Sequence, residues 1–264
     1  MTIAFNAAHD PKQAPQKYQD MYPYNDIKVP ENFMATYPHN FGANKIRDEK
    51  LAPFPRTPYS IQVNRSEYYA LITHLDAQIG RVLEYLKFTG QAENTVIIFT
   101  ADHGLAQGNH GLMGKQNQYD ASVRVPWIIS GPGIPENKKV NTTIYTQDVS
   151  ATSLEIAGIE TPDYIDFNSV LPLINSKEKA DNLIYGSYMN YQRMVRNSNY
   201  IIYPLTGVEL LYNIKKDPLE MKDLSKDKKQ LKKMKKALAD WKQNSGEFKE
   251  PAKMVVYKKK PANY

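Results

Sequence analysis

Apolar residues along this chain recur at two spacings, and the change from one to the other divides the sequence. In the first part the helical period leads. Tyr68, Ile72, Leu75, Ile79, Val82, Leu83 and Leu86 form one stripe, Asn64 and Glu67 resemble a capping box ahead of it, and Gly90 marks its end. Residues 95–100 and 125–130 are β-branched and aromatic runs, which predicts two buried strands, the second closed by Gly-Pro-Gly. A short apolar run over residues 2–9 predicts a further strand with His9 at its carboxyl end. Prolines recur from residue 10 to 58, so an extended excursion over the scaffold is expected there. A helix over residues 146–157, stopped by Gly158, completes this part.

Beyond it the rhythm shortens. Apolar runs at residues 183–188, 193–195, 200–203 and 209–214 are separated by turn-prone residues, predicting an antiparallel meander. Leu231, Met234, Leu238 and Trp241 then recur at helical spacing with lysines on the other face, and residues 250–264 read as a peripheral tail. The order helix, strand, loop, strand suggests doubly wound α/β. The expected organisation is an α/β domain over residues 1–165 and a smaller subdomain of antiparallel strands and a helix over 166–264.

Composition narrows the classes. At 264 residues, 41% hydrophobic, the chain has material for one large core or a core with an appendage. No apolar run approaches the span a bilayer requires, so no membrane role is expected. The net charge of +6 suggests a polyanion partner only until it is divided: residues 215–260 hold 16 basic and 7 acidic residues, the remainder 18 and 21. The excess belongs to the lysine-rich helix, whose basic side is an ordinary solvated face, and no nucleic-acid motif accompanies it. The absence of cysteine excludes disulfides, thiolate ligands and a thiol nucleophile.

The candidate chemistry lies in "TADHGLAQGNHGLMGKQNQYDASVRVP", directly after the first strand. Ligands of open α/β sheets bind beyond the carboxyl ends of strands, where Asp102 and His103 stand. A carboxylate beside an imidazole suits a divalent cation, although an Asp capping its own turn next to a hydrogen-bonded His is the commoner arrangement. Gly104, Gly108, Gly111 and Gly114 would let backbone pass close to a ligand, and Lys115 ends the loop as a cation suited to an oxyanion.

These segments, together with "NAAHDP", "YYALITHLDAQIGRVLEYL" and "LLYNIKKDPLEMKDL", resemble the second half of a type I sulfatase of the alkaline-phosphatase-like superfamily, from His9 to about Leu224. The resemblance implies a mixed α/β sheet flanked by helices with a small C-terminal subdomain of antiparallel strands and a helix. It makes Asp102 and His103 ligands of a single divalent cation, usually Ca2+. It makes Lys115 a contact to sulfate oxygens, and His9 a contact near the leaving oxygen and a candidate general acid. His110 would contact substrate or order its loop, while Asp120 and Arg124 would hold that loop against the sheet. His39 and His74 carry no motif, and His74 is expected to be a packing residue.

The family's nucleophile is a formylglycine made from Cys or Ser in Cys/Ser-x-Pro-x-Arg, and neither it nor the family's paired aspartates occurs here. The chain therefore resembles a fragment that is inactive alone, a missing N-terminal half being one possible partner. The expected ligand is a sulfated small molecule or glycan. The alternatives are a phosphoesterase or phosphonate hydrolase of the same superfamily, and a non-catalytic binding module. No export signal is legible, and a periplasmic or secreted location is an expectation for the intact protein alone.

Overall fold

The computed structural model describes residues 1–42, 46–175, 182–189, 191–197, 200–205 and 207–244. The tail expected at residues 250–264 lies outside them. The first part is built on the long helix α2 (Pro58–Phe88), preceded by the single turn α1 (Gln16–Gln19). Helix α2 starts six residues before the expected Asn64. Thr57 Oγ1 accepts from Ser60 N at 3.1 Å, Ser60 Oγ accepts from Thr57 N at 3.2 Å, and Pro58 occupies the first helical position. This true capping box satisfies the free amides of the first turn. Asn64 sits inside the helix and turns its amide to Ser60 O at 2.9 Å. Ile61, Ala70 and Leu71 are the buried residues of α2, whereas Tyr85 and Phe88 near its end are exposed.

Strands β1 (Ile97–Thr100) and β2 (Trp127–Ser130) pair antiparallel, Ile97 opposite Ser130 and Thr100 opposite Trp127. The doubly wound parallel arrangement is therefore not what joins these two strands. The strand expected at residues 2–9 is also absent: residues 1–6 carry no strand pairing and leave Ile3 and Phe5 exposed. A strand forms only where a neighbour pairs with it, and among the described residues β1 and β2 pair with each other alone. Between β1 and β2 lie the glycine-rich loop and the short helix α3 (Asp120–Val123); after β2 come α4 (Asp148–Ile156) and α5 (Leu171–Asn175).

The expected meander forms as β3 (Ile184–Tyr188), β4 (Gln192–Arg196), β5 (Ile201–Leu205) and β6 (Val208–Tyr212), antiparallel in that order. Alternation sends successive residues to opposite faces. Met194, Leu210 and Tyr212 join Tyr37, Phe41, Ala106, Leu112 and Tyr119 of the loop side. Val195 and Leu211 join Leu231, Met234 and Leu238 of helix α6 (Lys228–Asn244). Trp241 stacks on Tyr185 with ring centroids 4.8 Å apart. The sheet thus stands between the loop that carries the candidate chemistry and the lysine-rich helix. Asp120 reinforces the junction by pairing with Arg196 of β4, Oδ2 to Nη2 at 3.1 Å.

Two buried contacts fix the loop itself. Glu49, 1% exposed at its side chain, accepts from Gly114 N at 2.9 Å and Met113 N at 3.1 Å, and pairs with Arg56 Nη2 at 2.5 Å. Arg56, 0% exposed at its side chain, also donates to Glu49 O, Ala52 O and Gly111 O. Gly111 lies at φ +74°, with Met34 O 2.6 Å from where a Cβ would stand, so no other residue fits there without movement. On the opposite side, His110 N donates to Asn32 O at 2.9 Å and its ring stacks on Tyr119 with centroids 3.9 Å apart. Its Nε2 is 3.1 Å from Asn32 Nδ2. Burial pushes the His110 imidazole down to about 4, against a smaller opposing pull from Asp217. The neutral ring therefore accepts from Asn32 at Nε2.

Two outcomes follow for stability. Glu49→Ala leaves a buried guanidinium and two buried amides without their acceptor, and the unfolding free energy measured in urea is expected to fall by about 3–5 kcal/mol. For His110 the folded value lies below the ordinary 6.5, so the folded state binds fewer protons than the unfolded chain between about pH 4 and 6.5. Stability is lost as pH falls through that window, by roughly 2–3 kcal/mol. His110→Asn, which tolerates the positive φ, is expected to flatten the pH dependence of the urea midpoint between those limits; an unchanged slope would contradict the assignment.

Candidate functional site

The turn after residue 6 brings His9 to the end of the glycine-rich loop. His9 N donates to Asn6 O at 3.0 Å, and His9 Nδ1 lies 2.9 Å from Asp10 O and 3.1 Å from Asp10 Oδ1. Two acceptors at Nδ1 require a proton there, leaving the Nε2 lone pair free. Lys115 Nζ donates to that nitrogen at 2.8 Å. The two residues, 106 positions apart, are thus in direct contact.

Arg47 stands beside them, its Nη2 3.4 Å from His9 Nε2, 3.3 Å from Asp10 Oδ2 and 3.3 Å from Asp48 Oδ1. Asp48 Oδ2 is buried without a hydrogen bond and faces Lys115 Nζ at 3.9 Å. The cluster therefore holds two cations, Lys115 and Arg47, against two carboxylates, Asp10 and Asp48, around the His9 ring. Arg47, Asp10 and Asp48 were not among the sequence candidates. Asp10 neighbours a motif histidine, but Arg47 and Asp48 lie in the proline-rich excursion, where no periodicity or motif singles them out.

Asp102 and His103 sit at the other end of the loop. Asp102 Oδ1 accepts from His103 N at 2.9 Å, and its Oδ2 is 3.5 Å from His103 Nε2. His103 Nδ1 is 2.9 Å from Gly104 O, which an N–H at that nitrogen satisfies, and its Nε2 faces the Asp102 carboxylate. Such a backbone-anchored imidazole beside a carboxylate 86% exposed at its side chain is suited to a cation as a two-residue ligand pair. Among the described residues no cluster of three or more His, Cys, Asp or Glu forms. The pair is tied to Lys115 through backbone: Gly104 N donates to Ser122 O at 2.8 Å, and Ser122 Oγ donates to Gly114 O at 3.3 Å.

The other expectations separate by burial. His110, expected at the substrate or as a loop-ordering residue, is 6% exposed and bonded to Asn32, a placement that gives it the ordering role. Asp120 holds its helix to β4, while Arg124 is 75% exposed and 4.0 Å from Asp120. His74 packs against Tyr18 with ring centroids 5.0 Å apart, and His39 against Tyr37 at 5.4 Å.

Known proteins share much of this sequence and fold. Residues 1–159 match the family model for sulfatase, and residues 108–244 match that for the C-terminal region of N-sulphoglucosamine sulphohydrolase. The chain is 29% identical over 239 residues to a choline-sulfatase of Rhizobium meliloti, covering 86% of this chain and 46% of that protein. It is 28% identical over 235 residues to an arylsulfatase of Clostridium perfringens, covering 85% and 48%. A protein solved in complex with its substrate D-glucosamine-2-N,6-O-disulfate superposes with a TM-score of 0.64 at 25% identity, covering 79% of this chain and 46% of that one. The phosphonate monoester hydrolase of Agrobacterium radiobacter superposes with a TM-score of 0.74 at 22% identity, covering 90% and 55%, a likeness of fold. The chain spans about half the length of the curated relatives it matches. With matching models over most of its length and an alkaline-phosphatase-like α/β fold, the chain belongs to the sulfatase family.

Proposed function

We propose that this chain supplies one side of a sulfuric ester hydrolase active site, in which His9 and Lys115 are catalytic residues and Asp102 and His103 hold a divalent cation, Ca2+ first among candidates. The observation that carries this reading is the 2.8 Å contact between Lys115 Nζ and His9 Nε2. A sulfate ester hydrolyses readily only when charge on its nonbridging oxygens is neutralised and the leaving alkoxide is protonated. Lys115 meets the first need. When an anion enters, its ammonium turns to a sulfate oxygen and releases His9 Nε2, which then takes up a proton from solvent water. His9 meets the second need by giving that proton to the leaving oxygen, while Asp10 keeps Nδ1 protonated and the ring oriented. A divalent cation at Asp102 and His103 would neutralise a further oxygen.

The attacking group would come from residues outside this chain, which contains no Cys and no Ser-x-Pro-x-Arg. A sulfated small molecule or glycan is the proposed substrate, supported by family membership and by the disulfated glucosamine bound to one structural neighbour. A phosphonate ester is the second reading, since the fold superposes on a phosphonate monoester hydrolase with a TM-score of 0.74; the preference for sulfate rests on the matching family models, both of sulfate-ester or sulfamate hydrolases.

The purified chain alone is expected to show negligible hydrolysis of 4-nitrophenyl sulfate, and robust turnover would overturn the reading. Co-expressed with a sulfatase N-terminal segment carrying the formylglycine motif, it is expected to gain activity with aryl sulfate over an aryl phosphonate. In that complex Lys115→Ala and His9→Ala are each expected to lower kcat/KM by about 10²–10⁴-fold. Retained rates in both variants would remove the pair from the chemistry.

A further inference from the structure

His9 owes its place to a turn with little secondary structure around it, so something must hold that turn against the loop. Three residues on, Lys12 is 9% exposed and its Nζ donates to Asn64 Oδ1 at 2.9 Å and to Gln107 Oε1 at 3.1 Å. Asn64 belongs to α2 and Gln107 to the glycine-rich loop, so one amine joins three segments distant in sequence. We propose that Lys12 is a positioning residue that holds His9 against Lys115, an inference that rests on the hydrolase reading for its functional meaning. Gln107 is built for this contact. It is 4% exposed, adopts a positive φ of 48°, and receives a bond at its carbonyl from Arg65 Nη1 at 3.4 Å.

The charged groups acting on Lys12 are Asp10 on its own turn and Glu67 on α2. Its two hydrogen-bond acceptors are neutral amides, so no carboxylate bonds the ammonium directly. Burial accordingly pulls Lys12 down to about 8, with Glu67 and Asp10 opposing. The neutral amine keeps two N–H donors for the same two acceptors, but its bonds lose their charge assistance. The clamp therefore weakens in the alkaline range without a general unfolding of the chain.

The test uses the full chain, isotope-labelled, and follows the His9 ring by NMR. Wild-type protein at neutral pH is expected to show a nuclear Overhauser contact between the His9 ring and the Lys115 side chain, and a shift inflection of the His9 ring near pH 8. In Lys12→Met the contact is expected to lose most of its intensity and the inflection to vanish. In Lys115→Met the inflection is expected to persist, which separates it from titration of Lys115 itself. A folded Lys12→Met protein that keeps both signals would overturn the proposal. Should Lys12→Met fail to fold by its amide spectrum, Asn64→Ala and Gln107→Ala, each of which removes one acceptor of Lys12, decide instead: loss of the His9–Lys115 contact in either supports the role of Lys12, and its retention in both overturns it. A residue that only stabilised the fold would change the melting temperature and leave the His9 pH profile in place. None of these arms needs ester turnover, so their failure leaves the hydrolase reading standing, and failure of the activity assay leaves the clamp standing.

Discussion

The buried pair of Glu49 and Arg56 is the constraint on which the site depends. Taking both charges out of water costs more than their mutual attraction returns unless each remaining lone pair and proton finds a partner. The structure meets that condition by giving Glu49 two backbone amides and Arg56 three carbonyls. Three of those five partners come from residues 111, 113 and 114, immediately before Lys115. The demand for full hydrogen bonding at one buried ion pair therefore sets where Lys115 leaves the backbone. The same short turn, residues 48–51, carries Asp48 toward that lysine, so scaffold and electrostatics are set by neighbouring residues.

Around this anchor the cluster is close to charge neutrality. Arg47 and Lys115 are partly answered by Asp10 and Asp48, which keeps their side chains oriented in the absence of an anion. The four-stranded sheet contributes from behind. Its loop-facing residues pack on Ala106, Leu112 and Tyr119, and the Asp120–Arg196 pair binds the far end of the same segment.

What could be read from the sequence followed from local rhythm and motif. The four strands and the lysine-rich helix were legible because alternation and helical spacing are written in adjacent residues, and Met194, Val195, Leu210 and Leu211 of the strands and Leu231, Met234 and Leu238 of the helix reach a core. The start of α2 was misread because Asn64 and Glu67 imitate a cap, whereas Thr57 and Ser60 lie among prolines that obscure the signal. The strand at residues 2–9 failed for a different reason: apolar alternation states a capacity for pairing, and pairing needs a neighbour. His9 and Lys115 were named together through family likeness, and nothing local to either foretells contact across 106 positions. Glu49, Arg56, Arg47 and Lys12 are invisible in one dimension, since their roles exist only once the proline-rich excursion lies against the loop.

The two tryptophans of the chain fall on different sides of this architecture. Trp127 stands in β2, with its indole nitrogen buried and no acceptor beside it, whereas Trp241 lies flat on Tyr185 where α6 meets the meander. Their emission spectra and quenching thus differ by environment, the second being sensitive to separation of two stacked rings. Replacing either one leaves a single intrinsic fluorophore, which turns the native chain into a pair of optical gauges for whether its two sheets come apart together or in succession.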